Sequence, residues 1–164
     1  MKKYLLLLSV VILGLSACKK GGDFTADQAA IDDAKIQAYM SANNITATKD
    51  PSGIYYKILK TGTGAYPTAT STIQVGYTGK LLNGTTFEAS SSTVLALSGT
   101  IKGWQIGMLK INAGTVNAGT YVPGSGGRIL LIIPSALAYG TNATGNITAN
   151  SVITFTIDLI GVSN

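Results

Sequence analysis

Histidine is absent from this chain of 164 residues, and cysteine occurs once, at Cys18. Without an imidazole there is no ordinary general base near neutral pH and no Ser-His-Asp arrangement. Histidine-bearing metal sites are excluded with it. A lone cysteine excludes a disulfide within the chain. Charge is sparse as well, with seven acids against twelve bases and a formal net charge of +5. Only Asp32 and Asp33 among the acids are adjacent, so no carboxylate cluster suggests a metal site. The bases are too few and too scattered for a nucleic-acid surface. The glycine-rich tract at 112–127 is followed by no Lys-Ser/Thr pair and is not a phosphate-cradling loop. Whatever this protein does, it does without the usual acid-base residue.

What is present begins with an export segment. Lys2 and Lys3 precede an apolar run from Leu5 to Leu13, too short to span a bilayer, and Leu15-Ser16-Ala17 then places small residues before Cys18. Leu-Ser-Ala-Cys looks like a bacterial lipobox, in which the cysteine is lipidated and becomes the first mature residue. The bland alternative is an incidental thiol after an ordinary signal peptide. The expected division is a signal peptide over 1–17, a lipidated tether over 18–24, and a helix with linker over 25–50. A single domain over 51–164 follows, with an insertion at about 112–127. The expected address is the bacterial cell envelope, lipid-anchored at the outer membrane on its periplasmic or surface side, with membrane attachment through Cys18.

Thr25-Ala26-Asp27-Gln28 has the spacing of a capping box, and Ile31, Ala34, Ala38 and Ala42 recur at helical spacing. This predicts one amphipathic helix over 25–43, either packed on the main domain, spacing it from the membrane, or pairing two copies. Asp50-Pro51-Ser52-Gly53 signals a turn, after which the chain reads as strand. Strands are expected at 54–59, 73–82, 85–88, 93–97, 128–133 and 151–160, with a short helix from Trp104 to Ile111. Asn83-Gly84 marks a hairpin. Arg128 to Ile133 is nearly continuous in apolar residues, as in a central strand, while Ser151 to Ile160 alternates. The fold class is α+β: a curved, mostly antiparallel sheet wrapped around one short helix, with an additional N-terminal helix.

Three strings carry a family resemblance: Val75-Gly76-Tyr77-Thr78-Gly79, Ile101-Lys102-Gly103-Trp104, and Pro134-Ser135-Ala136-Leu137-Ala138-Tyr139-Gly140. In this order and spacing the chain resembles the FKBP-type peptidyl-prolyl cis/trans isomerases, over roughly Tyr55 to Ile160. The resemblance implies an FKBP-like fold and a catalytic pocket made by Tyr77, Phe87, Glu88, Trp104, Tyr139 and Phe155. Trp104 would lie under the proline ring, Tyr77 and Phe87 would form a wall, and the Tyr139 hydroxyl would donate to a substrate carbonyl. Substrate contacts would come from Leu95, Leu97, Thr100, Ile101 and Ile147, with the Ile101 N–H binding the peptide. Glu88 stands where the family usually has aspartate. Leu95, Leu137 and Thr148 depart from a frequent phenylalanine, a frequent aromatic and a frequent proline.

The implied activity is peptidyl-prolyl cis/trans isomerisation assisting the folding of exported proteins, with proline-containing, unfolded or partly folded polypeptides as partners. No cofactor or metal is implied. Macrolide binding is the family property that the departures at Leu95, Leu137, Thr148 and Glu88 most directly touch. The alternative, from a different functional class, is a non-catalytic lipoprotein of the same fold that holds a peptide or envelope partner. The 112–127 insertion reads as a surface loop or as a flap that touches bound polypeptide.

Overall fold

A computed structural model describes residues 24–164. The expected leader over 1–17, the lipidation site Cys18 and the tether as far as residue 23 lie outside the described residues.

The described chain opens with α1 (Phe24–Ala42), followed by β1 (Thr48–Lys49), β2 (Tyr55–Lys60), β3 (Thr72–Leu81) and β4 (Thr86–Ala96). After α2 (Lys102–Gly107) come β5 (Val116–Asn117) and β6 (Thr120–Tyr121), then β7 (Gly127–Ile133) and β8 (Ile153–Ser163). Six strands form one sheet in the order β1-β2-β7-β8-β3-β4, with every neighbouring pair antiparallel. Strands β5 and β6 pair with each other alone.

The turns are where the sequence placed them. Gly53 ends the Asp50 turn at φ +100°, and its N–H donates to the Asp50 carbonyl at 2.8 Å. Gly84 closes the β3–β4 hairpin at φ +89°, a left-handed conformation that glycine adopts without a Cβ clash. The two short strands expected at 85–88 and 93–97 are one strand, β4. Two bulges opposite β3, at Val75/Tyr77 and Gly79/Lys80, break its alternation and made it read as two pieces.

Along β8, Ile153, Phe155, Ile157 and Leu159 are all buried on one face, as the alternation predicts. They meet Ile129, Leu131 and Ile133 of β7, with Trp104 and Met108 of the helical segment. The short helix packs unusually close. A Cβ on Gly103 would lie 2.5 Å from Ile133 Cγ2, and one on Gly107 would lie 2.5 Å from Leu131 Cδ2. These two glycines, one helical turn apart, give α2 a flat side that lies against β7. The helix then tightens into a 3₁₀ turn at Met108–Lys110.

Helix α1 exists one residue ahead of its expected position, but its buried face is not the expected one. Ile31 is 49% exposed, and Ala34, Ala38 and Ala42 also face solvent. The helix docks instead through Asp32 and Ile36, each 1% exposed, with Tyr39 and Met40 beside them. Ile36 joins Tyr55, Ile132 and Val152 on the sheet face opposite the main core. Alanines are inexpensive to leave in water, whereas one isoleucine, a methionine and an aromatic ring gain more by burial. Covered on both faces, β7 is apolar along nearly its whole length, which accounts for its continuous hydrophobic run.

The insertion folds onto that same opposite face, at the other end of the sheet. The Tyr121 hydroxyl donates to the Val162 carbonyl at 3.1 Å, and its ring occupies the space that a side chain on Gly161 would need. Lys60 Nζ donates to the Gly124 carbonyl.

Candidate active site

The inner face of the sheet carries an open cavity of about 340 Å³ next to the start of α2. Its position follows from local geometry. Ile101 is the N-cap of α2 (φ −61°, ψ 151°), so its own N–H stands outside the helical ladder. Three residues on, Trp104 N–H returns to the Ile101 carbonyl at 3.0 Å, which turns the indole into the cavity floor. Trp104 is only 4% exposed, and its Nε1 is buried without a hydrogen-bond partner.

Two rings stand almost perpendicular to that indole. The Tyr77 ring lies 5.1 Å away at 85°, and Phe155 lies 5.1 Å away at 89°. Phe87 meets Phe155 at 5.5 Å and 90°, from behind. Gly79 permits this cluster, because a Cβ there would come within 2.7 Å of the Phe87 ring and 2.6 Å of the Phe155 ring. The bulge at Gly79/Lys80 leaves Phe87 without a register partner, so Phe87 and Glu88 both reach the same side of the sheet. Edge-to-face pairs of this kind each contribute roughly 0.5–1.5 kcal/mol beyond their area burial.

Tyr139 stands at the rim, on the loop between β7 and β8. Thr100 is also at the rim, but its hydroxyl is turned inward and donates to the Leu97 carbonyl at 2.7 Å. Leu95 and Gly99 complete the wall. The arrangement is an apolar box with Tyr77, Glu88, Thr100 and Tyr139 supplying polar groups around it, and among the described residues no group of side chains is suited to hold a metal.

Residues 64–160 match the family model for FKBP-type peptidyl-prolyl cis-trans isomerase.

The chain belongs to the FKBP family.

The FKBP-type peptidyl-prolyl cis-trans isomerase FkpA of Aeromonas hydrophila is 32% identical over 146 residues, which cover 84% of this chain and 49% of that protein. Outer membrane protein MIP of Legionella longbeachae is 32% identical over 151 residues, covering 88% of this chain and 59% of that one. The crystal structure of FkpA from Escherichia coli superposes with a TM-score of 0.67 at 28% identity, covering 85% of this chain and 64% of that chain. The chain thus spans about half the length of the curated relatives it matches.

Within the FKBP domain, most of the residues singled out from sequence converge on the cavity. Tyr77, Glu88, Leu95, Thr100, Ile101, Trp104, Tyr139 and Phe155 line it. Phe87 supports it from behind Phe155 rather than facing it. Leu97 and Ile147, expected as substrate contacts, do not line this cavity. Leu97 is fully buried and Ile147 is 4% exposed, both within the main core. Gly99, a lining residue, was missed because a glycine between Leu97 and Thr100 carries no chemical signal. Leu137 is half-buried against the core, and Thr148 pairs with Ser151 at 3.0 Å in an exposed turn. Neither replaces a lining residue.

Electrostatically the cavity is quiet. The Tyr77 phenol donates to Glu88 Oε1 at 2.7 Å. Burial, and then the Glu88 carboxylate, push Tyr77 up to about 12. Burial and the Glu88 charge also raise Tyr139 above the usual tyrosine value. Both phenols are therefore neutral donors at any physiological pH.

A second, larger cavity of about 550 Å³ lies on the other face of the sheet, between Gly76 and Asp158 below and Tyr121 to Gly124 above. It has no aromatic floor, and the Arg128 guanidinium along it is already held by Asp158 at 2.7 and 2.9 Å. The insertion that roofs it shares no lining residue with the Trp104 cavity. The reading of 112–127 as a flap over bound polypeptide is corrected: it covers the opposite face.

Proposed function

We propose that this chain is a peptidyl-prolyl cis/trans isomerase of the bacterial cell envelope, acting on proline-containing segments of unfolded or partly folded polypeptides. The observation that carries the reading is the Trp104 floor with Tyr77 and Phe155 perpendicular to it, closed by Tyr139 at the rim. Isomerisation about X-Pro must cross a barrier of about 18–20 kcal/mol, set by amide resonance. In the twisted transition state that resonance is lost and the carbonyl becomes less polar. Water-poor, apolar walls favour this form over the planar ground state, and only such differential binding accelerates the reaction.

In the proposed roles, the proline ring rests on Trp104 against Phe155 and Tyr77. The Ile101 N–H and the Tyr139 hydroxyl hold carbonyls of the flanking chain while the bond turns. Glu88 fixes Tyr77, and Leu95 and Thr100 shape the wall. A thousandfold acceleration requires about 4 kcal/mol of preferential binding to the twisted form.

The envelope address is supported by the leader pattern at 1–17, by the lipobox-like Leu15-Ser16-Ala17-Cys18, and by the relative named as an outer membrane protein. In this reading Cys18 is acylated, residues 18–24 tether the domain, 25–50 form helix and linker, and 51–164 form the isomerase domain. Among the described residues, no helix is long and apolar enough to cross a membrane.

The test is cis-to-trans relaxation of a Leu-Pro peptide with the full chain purified in detergent. Acceleration proportional to protein concentration, and lost on replacing Trp104, is the expected result. A folded sample that accelerates no X-Pro peptide would leave a binding module in place of an enzyme.

A further inference from the structure

Helix α1 grips the loop that carries Tyr139, and it does so through a buried carboxylate that the chemistry above does not use. Asp32 is 1% exposed. Its Oδ2 accepts from the Ser135 N–H at 2.8 Å and from the Ser135 Oγ–H at 2.6 Å. Its Oδ1 accepts from Gln28 Nε2 at 2.8 Å. Ser135, itself 1% exposed, opens the short 3₁₀ turn Ser135–Leu137 directly before Tyr139. Its carbonyl then accepts from both Ala138 N–H at 3.0 Å and Gly140 N–H at 2.8 Å, the two amides that flank Tyr139. At the far end of the loop, the Gly140 carbonyl accepts from Asn150 N–H at 2.8 Å, and Lys35 Nζ of α1 donates to the Asn150 carbonyl at 3.4 Å.

The chain of bonds is short and continuous: Asp32 to Ser135, and Ser135 to the N–H groups of Ala138 and Gly140, the residues on either side of Tyr139. Asp32 accepts three hydrogen bonds, two of them from Ser135, and Lys35 Nζ lies 3.8 Å from its Oδ1. Removing Asp32 would strand the Ser135 N–H and hydroxyl where nothing else accepts them. The loop would have to move to satisfy them, and the ring at its end would move too.

We propose that Asp32 is a positioning residue for the prolyl pocket, setting the placement of Tyr139 through Ser135. This rests on the isomerase reading above. It extends the functional unit beyond the 64–160 segment that matches the family model, to a helix outside it.

The experiment is a double-mutant cycle on the full chain in detergent, with kcat/KM for a Leu-Pro peptide measured well below the melting temperature. Asp32→Ala should lower kcat/KM by about tenfold, whereas Asp32→Asn, which keeps an acceptor oxygen, should recover most of it. In a Tyr139→Ala background, Asp32→Ala should change kcat/KM by less than about twofold, because the two residues act as one unit. An equal loss in both backgrounds, or a lowered melting temperature with kcat/KM untouched, would overturn the proposal. If Asp32→Ala does not fold, Ser135→Ala takes its place: it removes one of the two donors and should give an intermediate loss, and no loss would overturn the proposal. If the wild-type chain accelerates nothing, the isomerase reading fails separately. Positioning is then read from the Tyr139 ring signal in a ¹³C-tyrosine spectrum, assigned by its absence in Tyr139→Ala. A shift in Asp32→Ala or Ser135→Ala supports the link, and a signal unmoved in both refutes it.

Discussion

Tyr77 on β3 donates its phenolic proton to Glu88 on β4 across 2.7 Å, spanning one strand pair at the edge of the sheet. Glu88 is opposite Gly79 in the register, two residues along from Tyr77, so the pair is diagonal. A diagonal contact needs reach, and glutamate has a methylene more of it than the aspartate usual at this position. The longer side chain therefore keeps the bond rather than losing it.

Tyr77→Phe keeps the ring against Trp104 and Phe155 and removes only this bond. Stability should fall by about 1 kcal/mol, since the acceptor is charged but exposed. Because burial and Glu88 raise the phenol to about 12, the folded state retains a proton that the unfolded chain loses near pH 10. That contribution is complete below pH about 10 and disappears as pH rises through about 12. Alkaline unfolding followed by circular dichroism should start at a lower pH in wild type than Tyr77→Phe would show after correction for its lower baseline stability. Equal onsets would remove Tyr77 from the account.

Replacing Trp104 acts on the fold and the pocket together. Trp104→Ala should destabilise the domain by about 3–5 kcal/mol, as expected for a large ring lost from a packed site. Trp104→Phe keeps an aromatic floor and should cost less. Urea midpoints compared with peptide turnover separate the two effects: turnover should fall in both variants when each is assayed fully folded.

Gly103→Ala tests the flat contact between α2 and β7. Alanine favours helix by about 1 kcal/mol over glycine. Here, however, its methyl would press on Ile133, which is fully buried and has no room to yield. Overpacking of this kind costs about 1–3 kcal/mol, so net destabilisation is expected. Ile133→Val removes one of the crowded carbons and should relieve part of it. A Gly103→Ala protein more stable than wild type, by urea denaturation, would contradict the packing described.

Lys110 holds Asp50 at 2.7 Å, joining the end of the helical segment to the turn before β2. The Lys110 ammonium, then the Ser52 N–H, lower Asp50 to about 2. A depressed carboxylate stabilises the fold above the unfolded value near 4, and that contribution is lost as pH falls through about 2. Asp50→Asn should therefore flatten the fall of the urea midpoint between pH about 4 and about 2. Asn at this position also keeps an acceptor for Ser52, so the turn itself should persist.

Much of this was legible in the sequence, for definite reasons. Trp104 and Tyr139 sit in strings whose neighbours, Gly103 and Gly140, are needed for helix contact and for a left-handed turn. The alternation of β8 and the unbroken apolar run of β7 follow from one buried face and two. The misreadings of α1 and of the 112–127 tract share one cause, since both concern what lies on the outer face of the sheet. Periodicity alone chose Ile31 and the alanines of α1, because it counts apolar letters and is blind to a buried carboxylate such as Asp32. The destination of the 112–127 tract could not be read either, because Tyr121 docks against the absence of a side chain at Gly161. Leu97 and Ile147 carried the right chemistry for a lining residue, and only the three-dimensional packing puts them in the core beside the cavity and not on its surface.

The two cavities back onto one another through shared strands. Tyr77 and Phe155 look one way, while Gly76 and Asp158, their neighbours in the same strands, look the other. Each strand thus interleaves two messages in alternate letters. A point substitution is heard on one side only, so the two hollows can drift apart in shape and charge without consulting each other. A single residue inserted between Phe155 and Asp158 would transpose them, and both would be erased by the same event.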